Sequence, residues 1–260
     1  MTSGPIRNQI KYFLIILYTN VIIAKKQTPW HYIRMIGNLY IVATPIGNLK
    51  DLTIRAKETL ESVDFIVCED TRVTSKLLSG LGTRKTLLAL HQHSADSRQS
   101  TIISRLLKGE SAAYVSDAGT PGVNDPGGKL VAEALGQGIK VIPIPGPSAL
   151  TAAISVCGFP MEHFTYLGFV PHKKGRQTFF KDIAEREEAV VFFESTHRLI
   201  KALESLIATL EPERLIFVGR ELTKIYETLY RGTSQEVLDA IKNSSVKGEE
   251  VIVIAPKNFK

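Results

Sequence analysis

Short apolar runs alternate with helical patterns along most of the chain, and this alternation limits the possible fold more than any other feature. From Leu39 to Ile144, five β-rich runs are separated by stretches in which apolar residues recur every three or four positions. Runs that are apolar throughout are typical of parallel strands buried on both faces. The first half therefore predicts an α/β fold with a mainly parallel sheet between helices. The five predicted strands are Leu39–Ala43, Phe65–Cys68, Thr86–Leu90, Ala112–Ser116 and Lys140–Ile144.

The alternation restarts after Gly158–His163, which indicates a second α/β unit. This segment contains Gly and Pro and follows a predicted helix of small residues, so it reads as a linker. Further on, apolar residues at helical spacing from Leu199 to Leu210 predict a helix packed on a second, parallel or mixed sheet. The strands of this half are predicted over Phe164–Phe169, Ala189–Phe193, Arg214–Val218, Ile225–Arg231 and Glu250–Ile254. We expect an N-terminal extension at 1–36, an α/β domain at 37–157, a linker at 158–163 and a second α/β domain at 164–260.

The positive charge of the chain is concentrated at its N-terminus. The chain has 32 Lys and Arg against 26 Asp and Glu, a net charge of +6 that suggests a nucleic acid partner. Residues 1–36 hold five of these basic residues and no acidic ones. The remainder has 27 basic and 26 acidic residues, a net charge of +1. A case for RNA binding therefore needs local clusters of charge.

The N-terminal segment also contains an uncharged and mostly apolar run, Tyr12–Ala24. Its 13 residues are fewer than the about 20 that a membrane-spanning helix needs, and no small-residue cleavage site follows it. An extension upstream of an alternative start at Met35, an interfacial anchor and a targeting segment are all compatible with this run. We expect no stable membrane association.

The two cysteines, Cys68 and Cys157, are 89 positions apart and form no motif with metal-ligand spacing. We therefore expect no metal site and two buried thiols. So few cysteines suit a reducing cytoplasm, where we place the protein.

Four segments place Gly, Pro and small polar residues directly after a predicted strand. Ligands of open α/β sheets bind at the carboxyl ends of the strands, where proline stiffens a loop and glycine lets a ligand approach the backbone. One such segment is an ordinary turn, whereas four at one sheet edge favour a ligand crevice. None matches the glycine patterns of dinucleotide-binding or P-loop proteins. The segments are Ala43–Leu49, Cys68–Arg72, Ser116–Gly127 and Pro143–Ser148.

These segments carry a resemblance to a known family. LYIVATPIGNLKDLT, CEDTRVTSKLL, YVSDAGTPGVNDPGG and IPIPGPSAL are similar to the tetrapyrrole methylase superfamily, and more closely to its ribosomal RNA small subunit methyltransferase I branch. FTYLGFVPHKKGRQ, VVFFESTHRLIKALE, VGRELTK and GEEVIVI follow in the order of that branch. The resemblance covers about Leu39–Ile254, and the segment before it has no counterpart. Asn124 and Thr196 depart from the family pattern, and neither is a residue that we assign to chemistry.

The resemblance implies a cleft between two α/β domains that binds S-adenosylmethionine, in a homodimer. It implies 2′-O-methylation of a cytidine in small-subunit (16S) ribosomal RNA, as free RNA or in the 30S particle. Backbone groups of stiff loops can bond an adenine edge and a methionine tail, and the Thr120 hydroxyl could add a contact. Asp117 could instead cap a turn. The cofactor-binding residues implied are Pro45, Asp117, Ala118, Gly119, Thr120, Pro145, Gly146, Pro147 and Ser148.

A ribose hydroxyl is a poor nucleophile, so methyl transfer to it needs alignment and could need a base. By residue type and predicted loop position, the candidates are Glu69, Asp70, Glu194 and Lys224. Asp70 could instead cap a helix starting at Thr71, and Glu194 could pair with Arg198 four residues on. Our hypothesis from sequence is that Glu194 and Lys224 face the acceptor hydroxyl.

A local basic cluster in the second half favours contact with RNA phosphates. His172–Lys181 contains four Lys and Arg and no acidic residue. Such a run is often only a solvated surface, but with the resemblance it indicates RNA contact. The residues expected to contact RNA are Lys173, Lys174, Arg176, His197, Arg198 and Arg220.

Three other interpretations compete with RNA methylation. A tetrapyrrole C-methyltransferase would share the cofactor cleft, although CEDTR and the basic loop fit the RNA branch better. A non-enzymatic RNA-binding protein could retain the fold and would differ in whether it binds S-adenosylmethionine. A membrane-associated protein rests on Tyr12–Ala24 alone.

Overall fold

The computed structural model describes residues 36–91, 96–125, 127–242 and 248–259, so the run Tyr12–Ala24 lies outside the described residues. These residues form two five-stranded sheets. The strands of the first sheet are β1 (Leu39–Val42), β2 (Phe65–Cys68), β3 (Thr86–Ala89), β4 (Ala112–Val115) and β5 (Val141–Ile144). Its order is β3-β2-β4-β1-β5, and every neighbouring pair is parallel. The predicted strands are confirmed to within about one residue.

Helices cover both faces of the first sheet. They are α1 (Ile54–Ser62), α2 (Thr71–Gly80), α3 (Asp96–Leu107) and α4 (Gly127–Gly136). α1 and α2 pack on one face, where Leu60 and Leu78 meet Ile66 and Val115. α3 and α4 pack on the other face with Tyr114. The central strands β2 and β4 are buried at every position, which explains their apolar sequences.

The second sheet is mixed. Its strands are β6 (Phe164–Phe169), β7 (Ala189–Ser195), β8 (Leu215–Arg220), β9 (Thr228–Thr233) and β10 (Glu249–Ile254), in the order β6-β7-β10-β8-β9. β6 and β7 are parallel, and the other three pairs are antiparallel. The predicted fold class, two α/β units with parallel and mixed sheets, is confirmed.

The remaining helices divide between the two faces of the second sheet. They are α5 (Ala149–Cys157), α6 (Arg176–Glu185), α7 (Thr196–Ile207) and α8 (Ser234–Lys242). α6, α7 and α8 cover the face that carries Phe192 and Val218. α5 lies on the opposite face, where Ala153 packs with Phe217 and Val253. The contacts of α5 therefore place it in the hydrophobic core of the second sheet, although it precedes the linker predicted at 158–163.

One strand prediction in the second half is displaced. The run Ile225–Arg231 was expected to be extended, but β9 begins only at Thr228. Ile225 and Tyr226 are 91% and 72% exposed and lie in the turn between β8 and β9. These two residues have strand propensity, which the turn overrides because propensity for strands depends on packing partners.

The strands β7 and β8 each extend two residues further than predicted, to Ser195 and Arg220. Glu194 and Arg220 therefore lie within strands and not in loops. The register sets Glu250 of β10 opposite Glu194 on one side and Arg220 on the other. Residues directly opposite share a face of a sheet, so these three charged residues lie on one face.

Two side chains, Arg231 and Asn124, form hydrogen bonds between the halves of the chain. The Arg231 guanidinium of β9 donates from Nε to the Cys157 carbonyl at 2.7 Å and from one terminal nitrogen to the Val156 carbonyl at 2.5 Å. These are carbonyls of the last turn of α5, where a cation is favourable. The Asn124 amide donates to the Tyr166 hydroxyl of β6. The loop after β4 is thus bonded to the second sheet.

Candidate active site

The carboxyl ends of four parallel strands bring the predicted loops to one edge of the first sheet. β1, β2, β4 and β5 all end at this edge because the sheet is parallel throughout. The Thr44 N–H donates to the Gly119 carbonyl at 2.9 Å, and the Gly119 N–H donates to the Thr44 carbonyl at 3.0 Å. The expectation that these loops meet at one sheet edge is confirmed.

Further hydrogen bonds hold these loops in place. The Thr120 hydroxyl donates to the Pro147 carbonyl at 2.9 Å and ties the loop after β4 to the loop after β5. The Ser116 hydroxyl donates to the Gly119 carbonyl at 3.1 Å. Gly119 has a φ of 82°, and a Cβ there would lie 3.2 Å from Cγ2 of Ile46. Both the backbone conformation and the close approach explain a glycine at this position.

A cavity of about 400 Å³ lies between this edge and the strand ends of the second sheet. One wall consists of residues that follow β1, β2 and β4, with the start of α5. The other wall comes from the ends of β6, β7 and β8 and from the start of β10. Both charged and apolar side chains line the cavity; the apolar ones include Ile46, Phe169, Phe193, Leu222 and Val251. A concave, largely apolar surface with a few polar groups is typical of a small-molecule site.

Five of the nine residues that the resemblance assigns to a cofactor border this cavity. They are Asp117, Ala118, Gly119, Thr120 and Ser148. The other four, Pro45, Pro145, Gly146 and Pro147, belong to the same loops but lie outside the cavity wall. A Cβ on Gly146 would lie 3.0 Å from Cβ of Ala43, so this glycine lets two loops pack closely.

Asp117 and Ser148 provide side-chain polar groups in this wall. Oδ1 of Asp117 accepts a hydrogen bond from the Asp70 N–H at 3.0 Å, which joins the loops after β2 and β4. Ser148 is the N-cap residue of α5, and its side chain makes no capping hydrogen bond. The Thr120 hydroxyl, which we expected to contact a cofactor, instead donates to Pro147 within the loops.

The structure places the Glu194 carboxylate differently from our sequence-based hypothesis. Glu194 borders the cavity, but it is 1% exposed and its carboxylate forms ion pairs with two arginines. Its Oε2 lies 3.0 Å from the Arg176 guanidinium of α6, and its Oε1 lies 2.6 Å from that of Arg198 in α7. The Ser195 N–H also donates to Oε1, at 2.8 Å. A carboxylate held by two guanidinium groups on the helix-covered face is poorly placed to accept a proton from a ligand.

Lys224 borders the cavity and lies between two carboxylates. Its ammonium group is 2.9 Å from Oε1 of Glu221 and 3.4 Å from Oε2 of Glu249. Burial opposes the charge of Lys224, but the hydrogen bond to Glu221 and the negative charge of Glu249 outweigh it and raise the pKa of Lys224. The side chain also packs on Gly47, where a Cβ would lie 2.3 Å from Cγ of Lys224. Lys224 is therefore a cation at neutral pH and unsuited to accept a proton.

Glu69 follows β2 directly and borders the cavity from the first sheet. Burial and the neighbouring carboxylates of Asp117 and Asp125 raise the pKa of Glu69, and the nearby His91 opposes this effect. Within the described part of the chain, the Glu69 carboxylate forms no ion pair. The position of Glu69 after a buried strand could be predicted from the sequence. The ion pairs of Glu194, which distinguish it from Glu69, could not.

The alternative role for Asp70 is confirmed. Asp70 is the N-cap residue of α2, and its side chain accepts a hydrogen bond from the Arg72 N–H at 2.8 Å. Hydrogen bonds from the Arg72 side chain and backbone lower the pKa of Asp70 to about 2. Asp70 is thus a helix cap that is ionised at all ordinary pH values.

The predicted RNA-contact residues fall into two groups. Lys173, Lys174 and His197 are exposed to solvent. Arg176 and Arg198 are mostly buried by their ion pairs with Glu194, and Arg220 is 7% exposed within β8. The three arginines are therefore placed inside the second domain and not on a surface that a phosphate could reach. A search of the described residues finds no cluster of three or more His, Cys, Asp and Glu suited to a metal ion, and none of their helices is long and apolar enough to span a membrane.

Strong matches to proteins of known name cover most of the chain. A protein of Escherichia coli O157:H7 is 45% identical over 221 residues, which cover 84% of this chain and 77% of the relative. A protein of Xylella fastidiosa is 46% identical over 221 residues, covering 84% and 81%. A protein of Thermotoga maritima is 41% identical over 221 residues, covering 85% and 99%. All three are named ribosomal RNA small subunit methyltransferase I.

Solved structures with the same fold have much lower sequence identity. Uroporphyrin-III-C-methyltransferase from Thermus thermophilus matches with a TM-score of 0.60 at 19% identity, covering 84% of this chain and 94% of that one. Cobalt precorrin-4 methyltransferase matches with a TM-score of 0.62 at 17% identity and the same coverage. The family model for tetrapyrrole (corrin/porphyrin) methylases matches residues 38–238. The resemblance seen in the loop motifs is thereby confirmed, and the chain belongs to the tetrapyrrole methylase family.

Proposed function

We propose that this protein transfers a methyl group from S-adenosylmethionine to the 2′-oxygen of a cytidine in small-subunit ribosomal RNA. The observation that carries the proposal is the identity of 41–46% to relatives that all bear the name ribosomal RNA small subunit methyltransferase I. The matched 221 residues make up 84–85% of this chain. The structural neighbours that act on tetrapyrroles are under 20% identical and support the fold alone.

The cavity fits a cofactor of this chemistry. S-adenosylmethionine supplies an electrophilic methyl group on a positively charged sulfur, beside an adenosine and an amino acid tail. The apolar side chains of Ile46 and Phe193, on opposite walls, suit the adenosine, and the exposed Asp117 carboxylate suits a hydroxyl or ammonium donor. Ala118 and Gly119 present their backbone to the cavity with no long side chain in the way.

The main contribution of the protein to the reaction is alignment. Methyl transfer needs the acceptor oxygen in line with the bond that breaks, and holding both partners in this geometry removes much of the barrier. The loops after β1, β4 and β5 are bonded to one another through Thr44, Gly119 and Thr120, so one wall is fixed before ligands bind. Lys224 brings a positive charge to the other wall, and we propose that it faces the acceptor hydroxyl. Glu194 contributes by holding α6 and α7 in place.

The RNA contact that we propose is limited to the exposed basic residues. Lys173 and Lys174 lie between β6 and α6, close in sequence to Phe169 in the cavity wall. Phosphates that bind to these lysines would bring a ribose toward the cavity. We include His197 as a third surface contact. We propose that three arginines support this surface from within: Arg176, Arg198 and Arg220.

We further propose that the protein acts in the cytoplasm, as a homodimer, on ribosomal RNA that is free or assembled into the 30S particle. Comparing 2′-O-methylation across ribosomal RNA in cells with and without the gene tests the function. We expect one cytidine of the small-subunit RNA to lose its ribose methyl group, and restoring the gene should return it. If every ribose methyl remained in the deletion strain, the assignment would be wrong and the tetrapyrrole alternative would gain support.

A further inference from the structure

Five of the other acidic residues on the cavity wall, unlike Glu69, have well-defined partners among the described residues. Glu194 is paired with two arginines, and Glu221 and Glu249 are both paired with Lys224. The Asp117 carboxylate accepts the Asp70 N–H. These contacts occupy lone pairs that a proton acceptor would need.

Asp125 accepts three hydrogen bonds. Its Oδ1 accepts hydrogen bonds from the Tyr114 hydroxyl and the Gly127 N–H, each at 2.9 Å, and its Oδ2 accepts one from the Gly122 N–H at 2.5 Å. Asp125 therefore serves to fold the loop after β4. Glu250, also on the wall, lies in register between Glu194 and Arg220 on the helix-covered face of the second sheet.

Glu69 differs from all of these residues. It stands at the carboxyl end of β2, next to β4 in the sheet, and borders the cavity at the edge where the ligand-binding loops meet. The contacts of the described residues leave its carboxylate without a hydrogen-bond donor or an ion-pair partner. We propose that Glu69 is the catalytic base that accepts the proton of the ribose 2′-hydroxyl; this proposal rests on the proposed function.

The methyl transfer needs no reactant other than S-adenosylmethionine and the RNA. As the 2′-oxygen forms its bond to the methyl carbon, the bond between that carbon and the sulfonium sulfur breaks, and its electron pair stays on sulfur. The positive charge on sulfur is thereby neutralised. The 2′-hydroxyl proton passes to the Glu69 carboxylate, which then releases it to solvent. No oxidant, reductant or metal is needed.

The charged groups around Glu69 favour this role. The charged groups that act on Glu69 from the first sheet are Asp117, Asp125, Asp70 and His91. Those on the opposite wall are Glu221, Lys224 and Glu249. Burial and the two nearest carboxylates raise the pKa of Glu69, which makes its ionised form a stronger base at pH 7 to 8.

Variants of Glu69 test this inference. Single-turnover methyl transfer to 30S particles, with saturating S-adenosylmethionine, should be measured from pH 5 to pH 9 for the wild-type protein, Glu69→Gln and Glu69→Asp. Glu61→Gln is the matched control, because Glu61 is an exposed residue of α1 far from the cavity wall. Calorimetric binding of S-adenosylmethionine and a carbon-13 NMR titration of the Glu69 carboxyl, both without RNA, separate binding and protonation from turnover.

We expect Glu69→Gln to lower the transfer rate at least about 100-fold, as for the loss of a general base, with cofactor affinity within about twofold of wild type. The rise of the wild-type rate with pH should follow the NMR titration and should disappear in Glu69→Gln, while Glu69→Asp retains part of it. A Glu69→Gln rate within about threefold of wild type would overturn the inference and leave the proposed function intact. Absence of transfer to RNA by the wild-type protein would overturn both.

Discussion

Glu69 and Glu194 both lie at the end of an apolar strand, and both border the same cavity, yet their surroundings are opposite. Glu194 is enclosed by two guanidinium groups. Glu69 is near two carboxylates and lacks an ion pair among the described residues. One carboxylate therefore stabilises the second domain, and the other is available for chemistry.

The difference originates in where each strand ends. β2 ends at Cys68, so Glu69 is the first residue of a loop at the sheet edge. β7 continues to Ser195, so Glu194 obeys the alternation of the strand and lies on the face of Val190 and Phe192. A shift of two residues in the end of a strand is enough to change which of two glutamates is available to a ligand.

Removal of the Glu194 carboxylate should give the largest loss of stability. Glu194→Ala leaves the charges of Arg176 and Arg198 without their partner, and we expect the free energy of unfolding to fall by about 3 kcal/mol. Urea denaturation at pH 7 measures this. Glu187→Ala is the control, since Glu187 is an exposed residue beside the same strand and should change stability by less than about 0.5 kcal/mol. Equal stability of the two variants would contradict the structural role of Glu194.

Filling the cavity from the wall formed by the loops of the first sheet should affect ligand binding instead of stability. Ala118→Trp would fill the cavity beside Asp117, and we expect it to weaken binding of S-adenosylmethionine at least about 30-fold, or about 2 kcal/mol. Calorimetry on the purified protein provides the measurement. Ala132→Trp, at an exposed position of α4, should bind as wild type does. Unchanged affinity in Ala118→Trp would place the cofactor elsewhere.

Charge reversal at the exposed lysines between β6 and α6 should affect RNA binding alone. Replacing Lys173 and Lys174 by Glu removes two exposed positive charges, and we expect weaker RNA binding, by about 1 kcal/mol or more, and a salt dependence reduced by about two charges. Binding to small-subunit RNA at several salt concentrations checks this. The affinity for S-adenosylmethionine should stay the same. An unchanged salt dependence would show that these lysines contact no phosphate.

The smallest effect is a gain of stability in Glu69→Gln, opposite in sign to the loss in Glu194→Ala. The raised pKa of Glu69 means that ionisation costs more in the folded chain than in the unfolded chain, so the wild-type protein loses stability as pH rises from the ordinary pKa through the folded one. Relative to wild type, the variant should gain a small amount of stability as the pH rises from 4.5 to 8. Denaturation at both pH values measures the gain, and a variant that loses stability at pH 8 would contradict the assigned surroundings.

Much of the fold could be predicted because buried parallel strands have a distinctive sequence. The strands of the first sheet, the N-cap role of Asp70 and the meeting of the loops at one edge followed from apolar runs and turn residues. The turn at Ile225 and Tyr226 could not be predicted, because strand propensity there is overridden by its context.

The site was less predictable because it depends on contacts between residues far apart in the chain. The pairing of Glu194 with Arg198 is local and was recognised as an alternative, but the second ion pair comes from Arg176, on another helix. The Thr120 hydroxyl bonds to Pro147, 27 positions away, and so serves the loop. The packing of α5 on the second sheet likewise depends on tertiary contacts that no local pattern contains.

The central claim is that the cavity between the two sheets transfers a methyl group to ribosomal RNA. The most direct measurement uses purified protein, S-adenosylmethionine labelled in its methyl group, and 30S particles from cells that lack the gene. We expect the label to enter the RNA and to be recovered after nuclease digestion as 2′-O-methylcytidine, with loss of the signal in Ala118→Trp. Recovery of the label on a base, or no transfer by the wild-type protein, would contradict it.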